Sequence, residues 1–566
     1  MPITISVSPS SVAIGPGQSL QFTATVSYNS NGAAGAPAEK GNIDAVWWSA
    51  TQGSIDANGN YRTPSGMQST TAVVIATSKE DRSKSSYALV HVVEPGTVIN
   101  TANPQVAKYS LSPGAAANVY VQFGSDTSYG LTTWQQPSVQ GESINLLVAG
   151  MKANSPYHMR AVVQFADGTK FADADHVFTT TGSSSQSPNI TTTTTAGTTP
   201  QSGVELLDLV AGTAEPTITD LNGNVLWTYT GVPGGTVPNP FKMLPNGHFL
   251  INFSDSSVDG LNSVLEEVDL TGNVIWQMTA KQLNEALSSA SCAGCHITVT
   301  GTHHDFAMLP NGHLIVIAAT QEVLSGTTVT GDVLIDLDQN HKPVWIWNEF
   351  DHLDTNRRPY LFPDWTHTNA ILYSPDDGNL VVSIRHQNWL VKVDYANGTG
   401  TGDIIWHLGY QGDFTLVGGT DPTDWFYAQH GPSFATANTT RKFSIILFDN
   451  GDDRVFPSDV TCGTSGALPC LYSTVSMLQL DETAMTATLT FHPTTPTYSF
   501  FGGNAAVLAN GNIEYCEAAG GSSANSGEIY EVRQNNSGQP IWHMQIAGQY
   551  AYRGQRIPSF YPGVQW

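Results

Sequence analysis

Hydrophobic and polar residues alternate along most of the chain with the period of a β-strand. Over residues 1–96, Leu20, Phe22, Ala24 and Val26 share one face with polar residues between them, and Gly15-Pro16-Gly17 and Asn58-Gly59-Asn60 mark turns. The pattern continues over 97–181 through AANVYVQFG and LLVAGMKANSPYHMRAVVQFADG. Two small β-sandwiches are predicted. Residues 182–203, GSSSQSPNITTTTTAGTTPQSG, contain no aromatic residue and almost nothing to bury, which predicts a Ser/Thr-rich linker.

From 204 to 566 the strands recur as a repeat. One half of it is an aspartate, a Gly or Asn turn and a strand ending in tryptophan: Asp220 to Trp227, Asp269 to Trp276, Asp336 to Trp345 and Asp394 to Trp406, with weaker copies ending at Phe491 and Trp542. The other half is an apolar pair, a turn and a strand, as in KMLPNGHFLINF, AMLPNGHLIVIA, AILYSPDDGNLVVSI and AVLANGNIEYC, with SFATANTTRKFSIILF as a divergent copy. Six such units average about 60 residues, somewhat more than a four-stranded propeller blade needs. The expectation is an all-β chain: a six-bladed β-propeller over 204–566, preceded by the two sandwiches.

Charge and composition narrow the class. With 22 Lys+Arg against 47 Asp+Glu the net charge is −25, which disfavours a binder of the nucleic-acid backbone. Charged residues are only 12% of the chain, Gly is 53 and Pro 31, a profile expected of a periplasmic or secreted β-rich protein. No run of about 18 apolar residues occurs, so no membrane-spanning segment is expected. Met1 and PITISVSPSS lack a basic and then apolar leader, so any secretion signal is expected to be absent from this chain. Five cysteines are too few for a disulfide scaffold, but the pairs Cys292/Cys295 and Cys462/Cys470 suit loop staples in an oxidising compartment.

Aligning the repeats on their alanine core exposes a candidate site. Three residues before that core stand Asn239, His304, His367, His430 and Gly503, and the three histidines follow one another at intervals of 63 residues. In a propeller this register opens the innermost strand, so the imidazoles should converge at the mouth of the central channel. Three imidazoles could hold zinc with an open fourth position, or divide nucleophilic and acid/base roles without metal. Arg385, on the strand after His367, adds a fixed cation; beside a metal trio that is unfavourable, beside a transferable oxyanion it is useful. Trp365 precedes His367, and Trp425, Phe426 and Tyr427 precede His430, as walls for an aromatic substrate. Cys292-Ala-Gly-Cys295-His296 matches the c-type haem attachment pattern and defines a competing reading, a haem propeller oxidoreductase. A non-catalytic secreted adhesin is the other alternative.

The N-terminal run with Val46-Trp47-Trp48-Ser49 and Gly59-Asn60-Tyr61 resembles bacterial Ig-like domains, and the region around Tyr157 resembles the tyrosine corner of fibronectin type III domains. HHDFAMLPNG (303–312), DWTHTN (364–369) with SIRHQ (383–387), and QHGPSF (429–434) followed by LFDNGDDR (447–454) resemble the bacterial arylsulfate sulfotransferases, over roughly 200–566. The resemblance implies a six-bladed propeller that moves a sulfuryl group from a phenolic sulfate ester to a phenol through a sulfated histidine, independently of the nucleotide sulfuryl donor. It implies His430 as nucleophile, with His304 (or its neighbour His303), His367, Asn369 and Arg385 binding the sulfuryl oxygens and handling protons. No metal or cofactor is expected. The expected partners are a phenolic sulfate donor and a phenolic acceptor, with a homodimer as the self-association allowed for. Two accessory domains instead of one, and no cysteine pair shortly before His430, depart from the family pattern.

The chemistry is coherent in its own right. A neutral imidazole nitrogen can attack the electrophilic sulfur of a sulfate monoester in line, and charge then spreads over the equatorial oxygens, so catalysis is mainly positioning and electrostatic clamping.

Overall fold

The computed structural model describes residues 3–28, 46–182, 187–211, 214–255, 260–360, 363–437, 441–457, 470–520, 526–535 and 538–566. Strands dominate, as the alternation predicts; among the described residues the α-helices are Ala280–Ser289 and Glu349–His352. None of these helices is long and apolar enough to cross a membrane. The chain forms two compact units, Met1–Gly182 with Trp566, and Ser183–Gln565.

In the first unit the sheets fall on either side of the expected boundary near residue 96. The N-terminal sheets close over a core of Phe22, Tyr61, Val74 and Val90, so the face carrying Phe22 and Val26 is the buried one. The second set centres on the pairing of Ala117–Gly124 with Pro156–Phe165. Here the Tyr157 hydroxyl accepts a hydrogen bond from the Lys152 backbone N–H at 3.0 Å, the local contact that a tyrosine corner makes. The two halves are joined by His91, whose ring stacks on Phe165 at 3.8 Å and whose Nε2 lies 3.0 Å from Asp167 Oδ2.

The second unit holds six sheets among its described residues. Leaving aside the edge strands Asn189–Thr194 and Thr415–Val417, in chain order they begin at Val204–Leu209, Thr236–Met243, Gly301–Met308, Thr368–Ser374, His430–Phe434 and Asn504–Val507. The C-terminal strand Ala551–Ile557 returns to pair with Val204–Leu209, so the last strand completes the first sheet. A returning strand that completes the first sheet is how propeller-type folds close, with short edges left on each sheet.

The aspartate–turn–tryptophan repeat has a physical purpose. The indole N–H of Trp227 donates to Leu270 O at 2.8 Å, that of Trp347 to Gly402 O at 2.8 Å, that of Trp406 to Glu482 Oε1 at 3.0 Å and that of Trp542 to Leu221 O at 2.9 Å. Each tryptophan on an outer strand thus clips its sheet to a turn of the next, and Trp542 clips the last sheet to the first. Trp276 instead stacks on His341 of the next sheet at 3.8 Å. The third copy is two residues out of the expected alignment: Asp338 accepts the turn N–H groups of Asn340 and Lys342, and Trp347, not Trp345, is the fully buried indole. Asp336 is buried and accepts from the Tyr395 hydroxyl.

The stretch expected as a linker is partly strand. Asn189–Thr194 pairs along its length with Pro540–Ala547 as the outermost strand of the sixth sheet, so the second unit begins before residue 204. A run of threonines buries little, but β-branched residues suit an extended edge strand that has one covered side.

Ring closure also carries a buried charge cluster. Arg556, on the returning strand, ion-pairs with Glu205, with Glu514 at 3.3 Å and with Glu531 at 3.0 Å. All three carboxylates are buried, and burial with the neighbouring Glu205 pushes Glu514 well above the usual carboxylate range.

Candidate active site

The first strands of four consecutive sheets all slip register near the predicted histidine position. The breaks lie between Pro238 and Phe241, Thr302 and Phe306, Thr368 and Ala370, and His430 and Ser433. Such irregularities re-aim side chains out of the sheet plane. His304 and His367 take positive φ, 58° and 51°, a left-handed conformation that costs a non-glycine residue about 1–3 kcal/mol and that the surrounding sheet must hold. Next to His430 the turn is taken by Gly431 (φ 46°), where a Cβ would come within 2.4 Å of Asn504 Cβ.

The result is a cavity of about 190 Å³ lined by His304, His367, His430 and Arg385, with Asn239 and Tyr552 as further polar groups and Val210, Val237 and Phe501 as apolar walls. The three histidines and the arginine are thus brought to one cavity. The rings of His304 and His367 lie 4.6 Å apart, and Tyr552 stands 5.7 Å from His304 and 6.0 Å from His430, ring centre to ring centre. Tyr552 is buried, and among the described residues its phenol proton finds no acceptor.

Each histidine has a different support. His430 Nδ1 lies 2.7 Å from Asn450 Oδ1. His367 Nδ1 lies 2.5 Å from Asp364 Oδ2. His304 Nδ1 lies 2.7 Å from His303 Nδ1, and His303 Nε2 lies 2.9 Å from Asp332 Oδ1, so a carboxylate stands behind His304 through one intervening imidazole. Two of the three are thus backed by carboxylates and one by a neutral amide. Burial works to raise Asp364, but His367 beside it brings its carboxyl down to about 2, so a full negative charge faces that imidazole. Arg385 is anchored by Nη2 to Asp452 Oδ2 at 2.8 Å and to Phe500 O at 3.1 Å, leaving its Nε buried without a partner among the described residues.

Burial holds His430 well below the ordinary imidazole value of 6.5, with Arg385, His367 and Arg553 adding positive charge against its protonation. His304 is held down in the same direction by burial and then by His367, His303, His430 and Arg385. Both rings are neutral at neutral pH. The expected pH profile of the step that uses His430 is therefore flat from about pH 8 to about 6.5, with its acid limb below the ordinary histidine value. In the same window the unfolded chain begins to bind protons at these histidines while the folded chain does not, so folding stability declines as pH falls below about 6.5. Rate and melting temperature measured across that range check both; an acid limb centred at or above the ordinary histidine value would mean that His430 is not sheltered.

Several expected site residues stand elsewhere. Trp365 packs in the hydrophobic core and donates to Arg357 O; Trp425 and Tyr427 are buried in the neighbouring core, with the Tyr427 hydroxyl on Pro422 O. None of the three lines the cavity: they stand in irregular segments before the first strands and their side chains pack into the cores between sheets. Asn369 is fully buried and spends its N–H on Gln429 O at 2.7 Å, so it holds the peptide preceding His430 instead of facing the cavity. His303 lines, together with His304 and His367, an adjoining cavity of about 300 Å³ that also takes in Asp332 and Asp364; of the two neighbours, His304 lines the smaller cavity as well. Sequence reasoning passed over Asn450, although it lies in LFDNGDDR, and missed Tyr552 and Arg553. Arg553 donates to Asn369 O at 2.8 Å and to Asp305 Oδ1 at 3.2 Å beneath the histidines.

Metal and haem chemistry meet specific obstacles. Asp364, His367 and His386 bring ligand atoms within 4.8 Å of one another. His386 is already committed on both nitrogens, Nδ1 to Asp364 O at 2.8 Å and Nε2 to Arg385 Nη1 at 2.8 Å, and a guanidinium at that position repels a cation. Cys292 and Cys295 are joined in a disulfide, which consumes the thiols that haem attachment needs. Cys462, the expected partner of Cys470, lies outside the described residues.

A buried neutral imidazole that shares a cavity with a fixed guanidinium, among six sheets of an all-β unit, is chemistry suited to an anionic group. The chain matches the arylsulfotransferase (ASST) family over residues 190–553 and belongs to that family. Membership supports aryl sulfotransferase activity and small-molecule substrates. No curated protein matches the chain. Among solved structures it is similar to a protein of unknown function from Bacteroides caccae (11% identity, TM-score 0.38, covering 62% of this chain and 98% of that one). It is also similar to the Synechocystis apocarotenoid oxygenase (11%, 0.31, 81% and 94%) and a hypothetical selenium-binding protein from Sulfolobus tokodaii (11%, 0.31, 63% and 94%). These likenesses are too distant to carry a functional argument.

Proposed function

We propose that the protein transfers a sulfuryl group from a phenolic sulfate ester to a phenolic acceptor in two half-reactions, through a sulfohistidine at His430. The observation that carries this reading is a buried imidazole, held neutral, that shares one small cavity with Arg385 and two further histidines. His430 attacks sulfur; the S–O(aryl) bond breaks and its electron pair leaves with the phenolate. Arg385 and His304 hold the sulfuryl oxygens as charge spreads over them. His367, with Asp364 behind it, is placed to give the departing phenolate a proton and to take one from the acceptor phenol on the return step. Val210, Val237, Phe501 and Tyr552 take the aryl ring in place of the tryptophans expected from sequence. An oxidising compartment, periplasmic or extracellular, is part of this reading and is supported by the Cys292–Cys295 disulfide.

The direct test is a chromogenic aryl sulfate with and without a phenol acceptor. One equivalent of phenol should appear at once per chain, and steady release should depend on acceptor; no release under either condition would sink the reading. Within the same assay Arg385→Ala should lower kcat/KM by roughly 10²–10³-fold, as removal of a preorganised oxyanion partner does. Arg385→Lys should lose less, since lysine restores the charge but not the planar fork. Circular dichroism should show both variants folded, because Asp452 keeps the Tyr498 hydroxyl at 2.5 Å. Full activity of Arg385→Ala would assign the arginine to the scaffold.

A further inference from the structure

The three cavity histidines differ in what stands behind Nδ1, and only His430 has an amide there. The orientation of that amide is settled by its surroundings: Asn450 Nδ2 donates to Ser499 O at 2.7 Å and to Gly502 O at 3.1 Å. Oδ1 must therefore be the atom facing His430, and an amide oxygen can only accept. Nδ1 carries the hydrogen, and the lone pair is left on Nε2. Asn450 and Ser499 are fully buried, so no water competes for this arrangement.

The same hydrogen bond bears on the second half-reaction. Sulfonation at Nε2 draws electrons from the ring and makes the Nδ1 proton more acidic. If that proton leaves, the ring must depart from sulfur as an imidazolide anion, a poor leaving group. If it stays, the ring departs as neutral imidazole. A carboxylate behind Nδ1 would take the proton; an amide cannot. Resting on the sulfohistidine reading above, we infer that Asn450 is a positioning residue whose neutral amide keeps the proton on His430 Nδ1 throughout, directing attack through Nε2 and keeping the sulfonated ring transferable.

The steps balance on that basis. In the first half the Nε2 lone pair forms the N–S bond, the S–O(aryl) pair leaves with the phenolate, and the phenolate takes its proton from another cavity histidine. In the second half the acceptor phenol returns a proton to that histidine, its oxygen forms the new S–O bond, and the N–S pair goes back to Nε2. The Nδ1 hydrogen moves in neither.

The experiment compares the wild-type chain with Asn450→Asp by rapid-mixing release of phenol from an aryl sulfate, followed by a chase with phenol acceptor. The variant should still give a burst and a covalent adduct, but should pass the group to acceptor roughly tenfold or more slowly, so the adduct persists and kcat falls more than the burst rate. A merely structural role would slow both halves together, and that outcome, or unchanged transfer, overturns the inference. Should Asn450→Asp fail to fold, the wild-type adduct decides: chromatography of an alkaline digest against the two N-sulfonated histidine isomers should find sulfur on Nε2, and the Nδ1 isomer overturns the inference. A wild-type chain that forms no adduct sinks the sulfohistidine reading together with this one, whereas a wild-type adduct with a normally behaving Asn450→Asp sinks this one alone.

Discussion

His430→Asn should abolish both the burst of phenol and the covalent adduct while leaving a folded chain. Asparagine has similar reach and polarity but no nucleophilic nitrogen, and the loss expected when a sole nucleophile is removed is on the order of 10⁴-fold or more in kcat. The wild-type protein, incubated with donor and no acceptor, should gain the mass of one sulfuryl group, mapped to the peptide that contains His430. N-sulfonated imidazole is labile in acid, so digestion is done near neutral or alkaline pH. His304→Asn and His367→Asn should slow the reaction by roughly 10²–10⁴-fold without removing the adduct, because their proposed work is oxyanion binding and proton transfer. An adduct found on His304 or His367, or near-normal turnover of His430→Asn, would move the nucleophile to another sheet.

The second large effect concerns stability. Arg556→Met leaves Glu205, Glu514 and Glu531 buried with no cation between them, at the seam where the last strand completes the first sheet. Removing one partner of a buried ion cluster costs about 3–5 kcal/mol, since the remaining charges stay desolvated. Urea unfolding should therefore show a much lower midpoint for Arg556→Met. Glu514→Gln should be mild, within about 1 kcal/mol, because burial already keeps Glu514 toward its neutral form. Equal stability of Arg556→Met and wild type would mean that the seam is held by its strands and the Trp542 clip alone.

Much of this was legible in the sequence because the repeat is a physical device. Trp227, Trp406 and Trp542 each need a turn carbonyl or carboxylate in the next sheet, so turn and tryptophan recur together. The third copy misled because Trp345 and Trp347 stand two apart on one strand and only the packing selects Trp347. The three histidines were visible through their constant interval. The aromatic residues beside them were misread as substrate walls because side-chain direction at an irregular strand is not set by proximity in sequence. Tyr552 and Arg553 were hidden: they sit on a strand whose pairing partner is Val204–Leu209, far away in the chain, and AYRGQRI shares no core pattern with the other sheets. The helix Ala280–Ser289 had a readable signal in the Thr279 and Gln282 capping box and in Ala280, Leu283 and Leu287 on its buried face. The strand at 189–194 had little, since its stability comes from its neighbour's edge.

The register breaks in four successive first strands bring Asn239, His304, His367 and His430 to the cavity without enlisting the sheets' own cores. Chemistry in this ring is therefore modular: the scaffold offers a set of equivalent sockets, and the residue in each can be exchanged while the clips between sheets stay intact. Asn239 occupies such a socket beside Pro240, in the sheet before the one that carries His304, and already faces the cavity. That position is where a new functional group, or a new steric demand on the aryl partner, can be installed by a single substitution without dismantling the histidine trio.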